Sequence, residues 1–498
     1  MKCRYVWPSA LIICCLALPV TGRSGEPPLP PGLGGEEGGK KSPGKNDDGP
    51  ALPPGLGGDE GGEKGGDEKK DHGGPALSPG LGENEGKEKR PKDDREFELP
   101  FDFGGFFERI LGMRLQKDDQ KDATVGDLRL QLEVEKQWER ASARLTVDFL
   151  YDPVYDDPDV ELEEGTGAVD VREAYLAVTP LEFADLKVGR QILTWGTGDL
   201  LFINDLFPKD WNSFFIGRDN EYLKAPSDAV KLSLFSRAVN LDAIYTPRFD
   251  ADRFIDGKRL SYWNPTAGKR VGRDVPVEYR RPDDWFEDDE LAFRLYRNLA
   301  GYELAAYYYR GFWKSPSGMD PLTGKALFQD LDVWGGSVRG RLGRGIANLE
   351  FGYYRSDEDL DGDDQFVRNG QLRFLFGYSQ EIARDFSGGL QWYVEHMLDH
   401  GPYAAETPPN MPEDDESRHV LTLRLTRLLL KQNLRLSIFS YWSPTDRDAY
   451  LRPKAHYKIN DSWSAEIGGN VFLGEEEYTF FGQFEKNNNL YAVLRVSF

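Results

Sequence analysis

The sequence predicts an all-β fold: a transmembrane antiparallel β-barrel of about eighteen strands (range about 14–18), preceded by a disordered Pro/Gly-rich arm. Three observations carry this. From Phe97 onward, apolar and polar residues alternate with the two-residue period of a strand that buries one face. Short polar turns alternate with long polar connections, which places all short turns at one rim and all long loops at the other. The last eight residues, "YAVLRVSF", form an alternating apolar strand that stops at an aromatic, Phe498.

At the N-terminus, Lys2 and Arg4 precede an apolar run, Ala10 to Val20, too short to cross a bilayer. With the small residues around Gly22 this has the layout of a secretory signal peptide over residues 1–22. Cys3, Cys14 and Cys15, the only cysteines of the chain, fall inside it. The mature protein then has no thiol for disulfides, Cys-ligated zinc or nucleophilic catalysis. Loss of Lys2 and Arg4 takes the net charge from -23 to -25. Such acidity argues against nucleic acid as a partner, since phosphate neutralisation needs basic surface.

Residues 23–96 are rich in Gly, Pro, Glu, Asp and Lys. "LPPGLGGEEGG" (Leu29 to Gly39) recurs as "LPPGLGGDEGG" (Leu52 to Gly62) and as "LSPGLGENEG" (Leu77 to Gly86). These units are too short and polar to bury a core. They are expected to form a periplasmic tether, with the repeats as a candidate docking site for a periplasmic partner.

The barrel is expected over residues 97–498. "LRLQLEVE" (Leu128 to Glu135) sets Leu128, Leu130, Leu132 and Val134 against Arg129, Gln131, Glu133 and Glu135. The same period recurs in eighteen windows: 103–116, 126–138, 141–151, 169–178, 184–195, 228–236, 239–247, 290–298, 300–312, 332–342, 345–355, 371–380, 384–397, 418–429, 432–443, 450–459, 461–474 and 488–498. Turns such as "NLAG" (Asn298 to Gly301) and "INDS" (Ile459 to Ser462) alternate with stretches such as "DPVYDDPDVELEEGTG" (Asp152 to Gly167). A closed barrel leaves no unpaired edge, so the last strand must pair with the first. Leu490, Ala492, Leu494, Val496 and Phe498 are then expected to face outer-membrane lipid. Phe498 also resembles the terminal aromatic signal that barrel-assembly machinery reads. A soluble β-sandwich would instead place Arg129, Arg424 and Arg435 in a two-sided core.

The stretch "GRQILTWGTGDLLFINDLFPKDW" (Gly189 to Trp211) stands apart. In Gly189, Arg190, Gln191, Trp195, Gly196, Asp205, Pro208 and Asp210 it resembles bacterial outer-membrane barrels related to alginate-export and general porins. The resemblance extends loosely over 97–498 and implies that the third external loop narrows a pore. Arg190, Gln191, Trp195, Asp199, Asp205, Pro208 and Asp210 are then the candidate constriction residues. The composition agrees: Phe202, Phe207, Trp211, Phe214, Phe215 and Tyr222 would be costly to leave in water. Continued alternation from Leu186 and Val188 would aim Arg190 at lipid, so a bulge at Gly189 is expected to turn it inward.

Strand faces put Arg129, Glu173, Lys231, Arg294, Arg373, Arg424, Arg435 and Arg495 in the lumen, with Arg144, Lys187, Glu350 and Glu395 among others, giving a wall of mixed sign. "DEDLDGDD" resembles the opening of a calcium loop through Asp357, Asp359 and Asp361, but Arg368 stands where the bidentate Glu belongs. No other cofactor is indicated. His396, His400, His419 and His456 lie in no Ser-centred motif, so no enzyme is expected. The reading is a channel for small hydrophilic solutes. The alternatives are a polymer-export conduit, and an outer-membrane enzyme or anchor with a blocked lumen.

Overall fold

Residues 100–498, apart from 119, 156–158, 164 and 410, are described by a computed structural model. The signal peptide and the repeat arm lie outside the described residues.

Eighteen long strands form one closed antiparallel sheet. They are β1 (Asp102–Arg114), β2 (Leu128–Gln137), β3 (Ala141–Tyr151), β4 (Val169–Leu181), β5 (Ala184–Ile192), β6 (Pro226–Leu234), β7 (Asn240–Thr246), β8 (Glu290–Leu299) and β9 (Tyr302–Phe312) in the first half. The second half comprises β10 (Asp330–Leu342), β11 (Gly345–Ser356), β12 (Gln371–Ala383), β13 (Phe386–Met397), β14 (Ser417–Leu429), β15 (Leu434–Ser443), β16 (Asp448–Lys458), β17 (Trp463–Gly474) and β18 (Asn489–Ser497). Every predicted window overlaps one of them. β1 pairs with β18 from Phe106–Ser497 to Arg114–Asn489, and Gly105 and Phe498 exchange backbone hydrogen bonds of 3.2 and 3.0 Å. Closure satisfies the backbone along the whole circumference, as a lipid-embedded sheet requires.

The pleat sorts the side chains. In β1, Phe103, Phe107 and Leu111 are exposed on the outer surface, while Phe106, Glu108 and Ile110 are buried inside. Leu176, Val188, Leu295, Phe374, Leu390, Leu423 and Leu494 continue the outer apolar belt. Two aromatic girdles flank it. Trp138, Phe183, Tyr302, Tyr457, Trp463 and Phe498 stand by the short turns, and Tyr151, Trp334, Trp392 and Trp442 lie toward the long loops. This is the outer surface of a membrane-spanning barrel.

One expectation fails. No bulge occurs at Gly189: β5 pairs without a break from Val188 through Arg190 with both neighbours. Gly189 takes φ +121 instead, which lets the strand continue where a side chain would collide with the Ala174 carbonyl oxygen, 2.3 Å from its Cβ. The bulge lies one strand earlier. Between Val171 and Glu173 of β4 the register against Thr146 and Val147 slips by one residue. The slip keeps Glu173 on the inner face together with Asp170 and the buried Arg172.

Candidate constriction site

The connection between β5 and β6, residues 193–225, folds into the barrel. Its path starts with Trp195, buried against Phe207 (ring centroids 5.0 Å apart) and Tyr307 of β9 (6.0 Å). At Thr197–Asn204 the loop meets β11. The Glu350 carboxylate accepts from the Thr197 amide, from the Gly198 amide at 2.8 Å and from Asn204 Nδ2 at 3.1 Å. Asn348 Nδ2 donates to the Thr197 carbonyl at 2.9 Å, and the Tyr354 hydroxyl donates to the Ile203 carbonyl. Asp199, at the tip, receives Arg424 of β14 on both oxygens (2.5 and 2.7 Å), and its backbone is held on both sides by Gln391 of β13. Tyr441 of β15 donates to the Leu200 carbonyl at 2.8 Å.

The loop then returns as a short helix, α1 (Trp211–Ile216). Asp210 caps it, accepting from the Ser213 amide at 2.7 Å. Gly217 ends it in the left-handed region at φ +94, where any Cβ would lie 2.2 Å from the Tyr491 ring. Phe214, Phe215 and Ile216 are fully buried. Phe215 sits edge-on to Tyr450 (5.3 Å) and Phe472 (5.2 Å), and the Arg452 guanidinium covers Phe214 at 3.9 Å. Farther on, Tyr222 lies under Arg129 at 3.9 Å and accepts from Gln131 at 3.0 Å. Arg172 donates to the carbonyls of Glu221 (3.0 Å) and Lys224 (2.9 Å). Burial and the neighbouring Asp219 push the Glu221 carboxyl up to about 7, while Arg495, 3.9 Å away, opposes that rise. The loop thus touches β2, β4, β9–β11 and β13–β18, and its apolar side chains form one core with inward residues of the wall.

The predicted residues therefore divide. Asp199 stands where the loop meets the opposite wall, while Trp195 packs on Tyr307 of β9. Gln191 points inward but spends its amide on the Ala229 carbonyl at 2.9 Å. Asp205, Pro208 and Asp210 build the loop: Asp205 pairs with Lys209 at 2.9 Å, the Pro208 carbonyl accepts from the Ala225 amide at 3.0 Å, and Asp210 caps α1. Arg190 is corrected. It lies in register with Ala174 and Asp228 on the outward side of the sheet, pairs with Asp228 at 2.6 Å and donates to the Leu162 carbonyl at 2.9 Å. The arginine that supports the loop from this region of the wall is Arg172.

All eight lumen candidates occupy inward positions. Their charges are largely matched: Arg129 with Asp148, Glu173 with Arg144 (3.0 Å), Lys231 with Asp242 (3.9 Å), Arg294 with Glu303 (2.7 Å), Arg373 with Glu395 (3.6 Å) and Arg495 with Glu108 (2.7 Å). Arg435 lies beside His456 in the ladder. The acidic loop is also accounted for internally. Asp357 pairs with Arg355, and Asp359 accepts from the Gly362 and Asp364 amides, both at 2.9 Å. Among the described residues no three acidic, His or Cys side chains gather as a metal-ligand set. Sequence reasoning missed Asn348, Gln391 and Tyr441, whose only signal is a polar atom at an inward strand position.

The profile of a family described as "Protein of unknown function (DUF1302)" matches residues 114–406. No curated protein matches the sequence. Among solved structures, the chain is similar to OccK11 (OpdR) of Pseudomonas aeruginosa, at 10% identity over 79% of this chain and 95% of that one, with a TM-score of 0.47. It is similar to OccAB1 of Acinetobacter baumannii at 10% identity over 82% and 98%, TM-score 0.47. It is also similar to the outer membrane channel DcaP of Acinetobacter baumannii at 11% identity over 80% and 97%, TM-score 0.38.

Proposed function

The chain belongs to the DUF1302 family, proteins of unknown function, and from that premise and the geometry of its barrel we propose that it is an outer-membrane channel for small hydrophilic solutes, constricted by the loop 193–225. The observation that carries this is the loop's attachment: its Asp199 binds Arg424 of β14 and its Thr197 and Gly198 amides bind Glu350 of β11, both inward residues of the wall. A loop held across a lumen sets its narrowest cross-section, and the charged wall on the short-turn side gives passing solutes a polar surface. The chain acts without catalysis or cofactor. Phe498 serves as the assembly signal, and the arm lies in the periplasm, where its repeats meet a partner.

Single-channel recording of the purified protein tests this. Discrete ohmic steps support the channel; a barrel that inserts without conducting overturns it. The competing reading, an anchor with a blocked lumen, is favoured by the aromatic packing of Phe214 and Phe215 against Tyr450 and Phe472, and the same recording separates the two. A polymer-export conduit would conduct only after the loop is displaced.

A further inference from the structure

A cavity of about 240 Å³ lies toward the long-loop rim. Its walls come from the β3–β4, β5–β6 and β7–β8 connections. Four guanidinium groups reach it, and each has a carboxylate partner. Arg253 holds Asp170 through two bonds of 2.9 and 3.0 Å, Arg218 meets Asp127 at 2.7 Å, Arg259 meets Asp152 at 2.5 Å and Arg281 meets Glu163. Asp252 is saturated by the Lys209 amide (2.7 Å), Trp211 Nε1 (3.0 Å) and Ser315 Oγ (2.7 Å). Every guanidinium at the wall is therefore matched by a carboxylate, Asp252 is held by neutral donors alone, and no lining cation is left over for an anionic ligand.

Beside these planar polar groups stand three rings. Phe254 and Tyr279 meet edge to face at 5.2 Å, and Tyr155 lies under Arg259 at 5.3 Å. Backbone closes the wall at Gly165, where φ is +60 and a Cβ would lie 1.9 Å from the Arg253 guanidinium. A side chain there would displace that group, so the arrangement depends on glycine.

We propose that this cavity binds one ring of a neutral polyhydroxylated solute, a monosaccharide-sized carbohydrate, before it reaches the constriction. A hydroxyl both donates and accepts, so it can bridge a guanidinium and its carboxylate without separating the pair. A carboxylate ligand would have to break a buried pair to reach a guanidinium, at a cost that its own contacts must exceed. The rings take the C–H faces of the sugar. The volume lies below the roughly 300–1,000 Å³ typical of sites for drug-sized ligands, which limits the occupant to one ring.

The test is calorimetric titration of the full-length protein in detergent, which does not require that the barrel conduct. The probes are glucose, galactose, mannose and xylose, with maltose as a two-ring control and benzoate as an anionic aromatic control. The expected result is saturable binding of at least one neutral monosaccharide, with weaker or no binding of maltose and benzoate. Tyr279→Ala should weaken that binding by roughly tenfold or more, while Tyr279→Phe, which keeps the ring, should change it by less than about threefold. Tyr155→Ala provides an independent second lesion, and each variant must retain the heat-shifted gel mobility of a closed barrel. The proposal is overturned if no monosaccharide binds, if benzoate binds more tightly and is lost in Tyr279→Ala, or if neither alanine variant weakens sugar binding.

Discussion

Arg129 and Lys187 both point into the barrel, yet they inhabit different media. Arg129 belongs to the long-loop half. It is almost fully buried, pairs with Asp148 and Asp127 and is covered by Tyr222 of the inserted loop. Lys187 belongs to the short-turn half. It is partly exposed, faces Lys231 directly across the β5–β6 ladder and rests on the Tyr175 ring at 3.5 Å. The neighbours follow suit: Glu133, Glu135, Arg144 and Lys231 each keep about a third of their side chain exposed, whereas Asp127 and Asp148 keep none. The outer half of the interior is a packed core in which charges must be matched, because an unpaired buried ion costs several kcal/mol. The inner half is an exposed wall where ion pairs contribute little stability and the charges remain open to solvent.

The contrast predicts what each change should do. Replacing residues 198–222 by a short Gly/Ser linker empties the outer half and should raise single-channel conductance several-fold; an unchanged conductance would place the narrowest point elsewhere. Glu350→Ala leaves the Thr197 and Gly198 amides without their acceptor. It should weaken loop seating by about 1–3 kcal/mol, read as faster protease cleavage within 193–225 while the barrel keeps its heat-shifted mobility. In the inner half, Lys187→Glu with Lys231→Glu should move reversal potentials toward cation selectivity without altering stability; no shift would mean that this wall does not face the permeation path.

The Glu221 carboxyl gives a smaller, pH-dependent effect. Its value in the seated loop, about 7, is raised above that of an exposed glutamate. The seated loop therefore retains a proton that a released loop loses between about pH 4 and 7. Seating should be firmest on the acid side of this window and weaken as pH rises through 7, by about 1 kcal/mol, since the side chain is a third exposed. Recordings from pH 5 to 8 should show this as rising conductance, and Glu221→Gln should flatten the profile. The smallest effect is expected for Arg190→Glu. With Arg190 on the outward side beside Asp228, selectivity should stay unchanged; a cation shift would return this residue to the pore.

The strands were legible because a wall between lipid and an interior of opposite polarity imposes its two-residue period on every segment. The loop's inward course was legible from the cost of exposing Phe214, Phe215 and Trp211. The direction of Arg190 was not. A glycine before it permits either a bulge or a continued strand at positive φ, and the local sequence does not distinguish them. The bulge in β4 gave no sign of itself, since Val171–Glu173 contains neither glycine nor proline. The partners of Asp199 and Glu350 depend on where a long loop lands across the barrel, which no local pattern encodes.

The attachments of the inserted loop also order events in time. Asp199 waits for Arg424, Leu200 for Tyr441 and Phe215 for Asn489, partners 225, 241 and 274 residues further along the chain. Contacts of such separation form late, because chain entropy must be lost before they are gained. The barrel therefore has to be nearly complete before the seven aromatic side chains of this segment are all seated. During that interval part of this aromatic segment lacks the wall that buries it in the finished barrel.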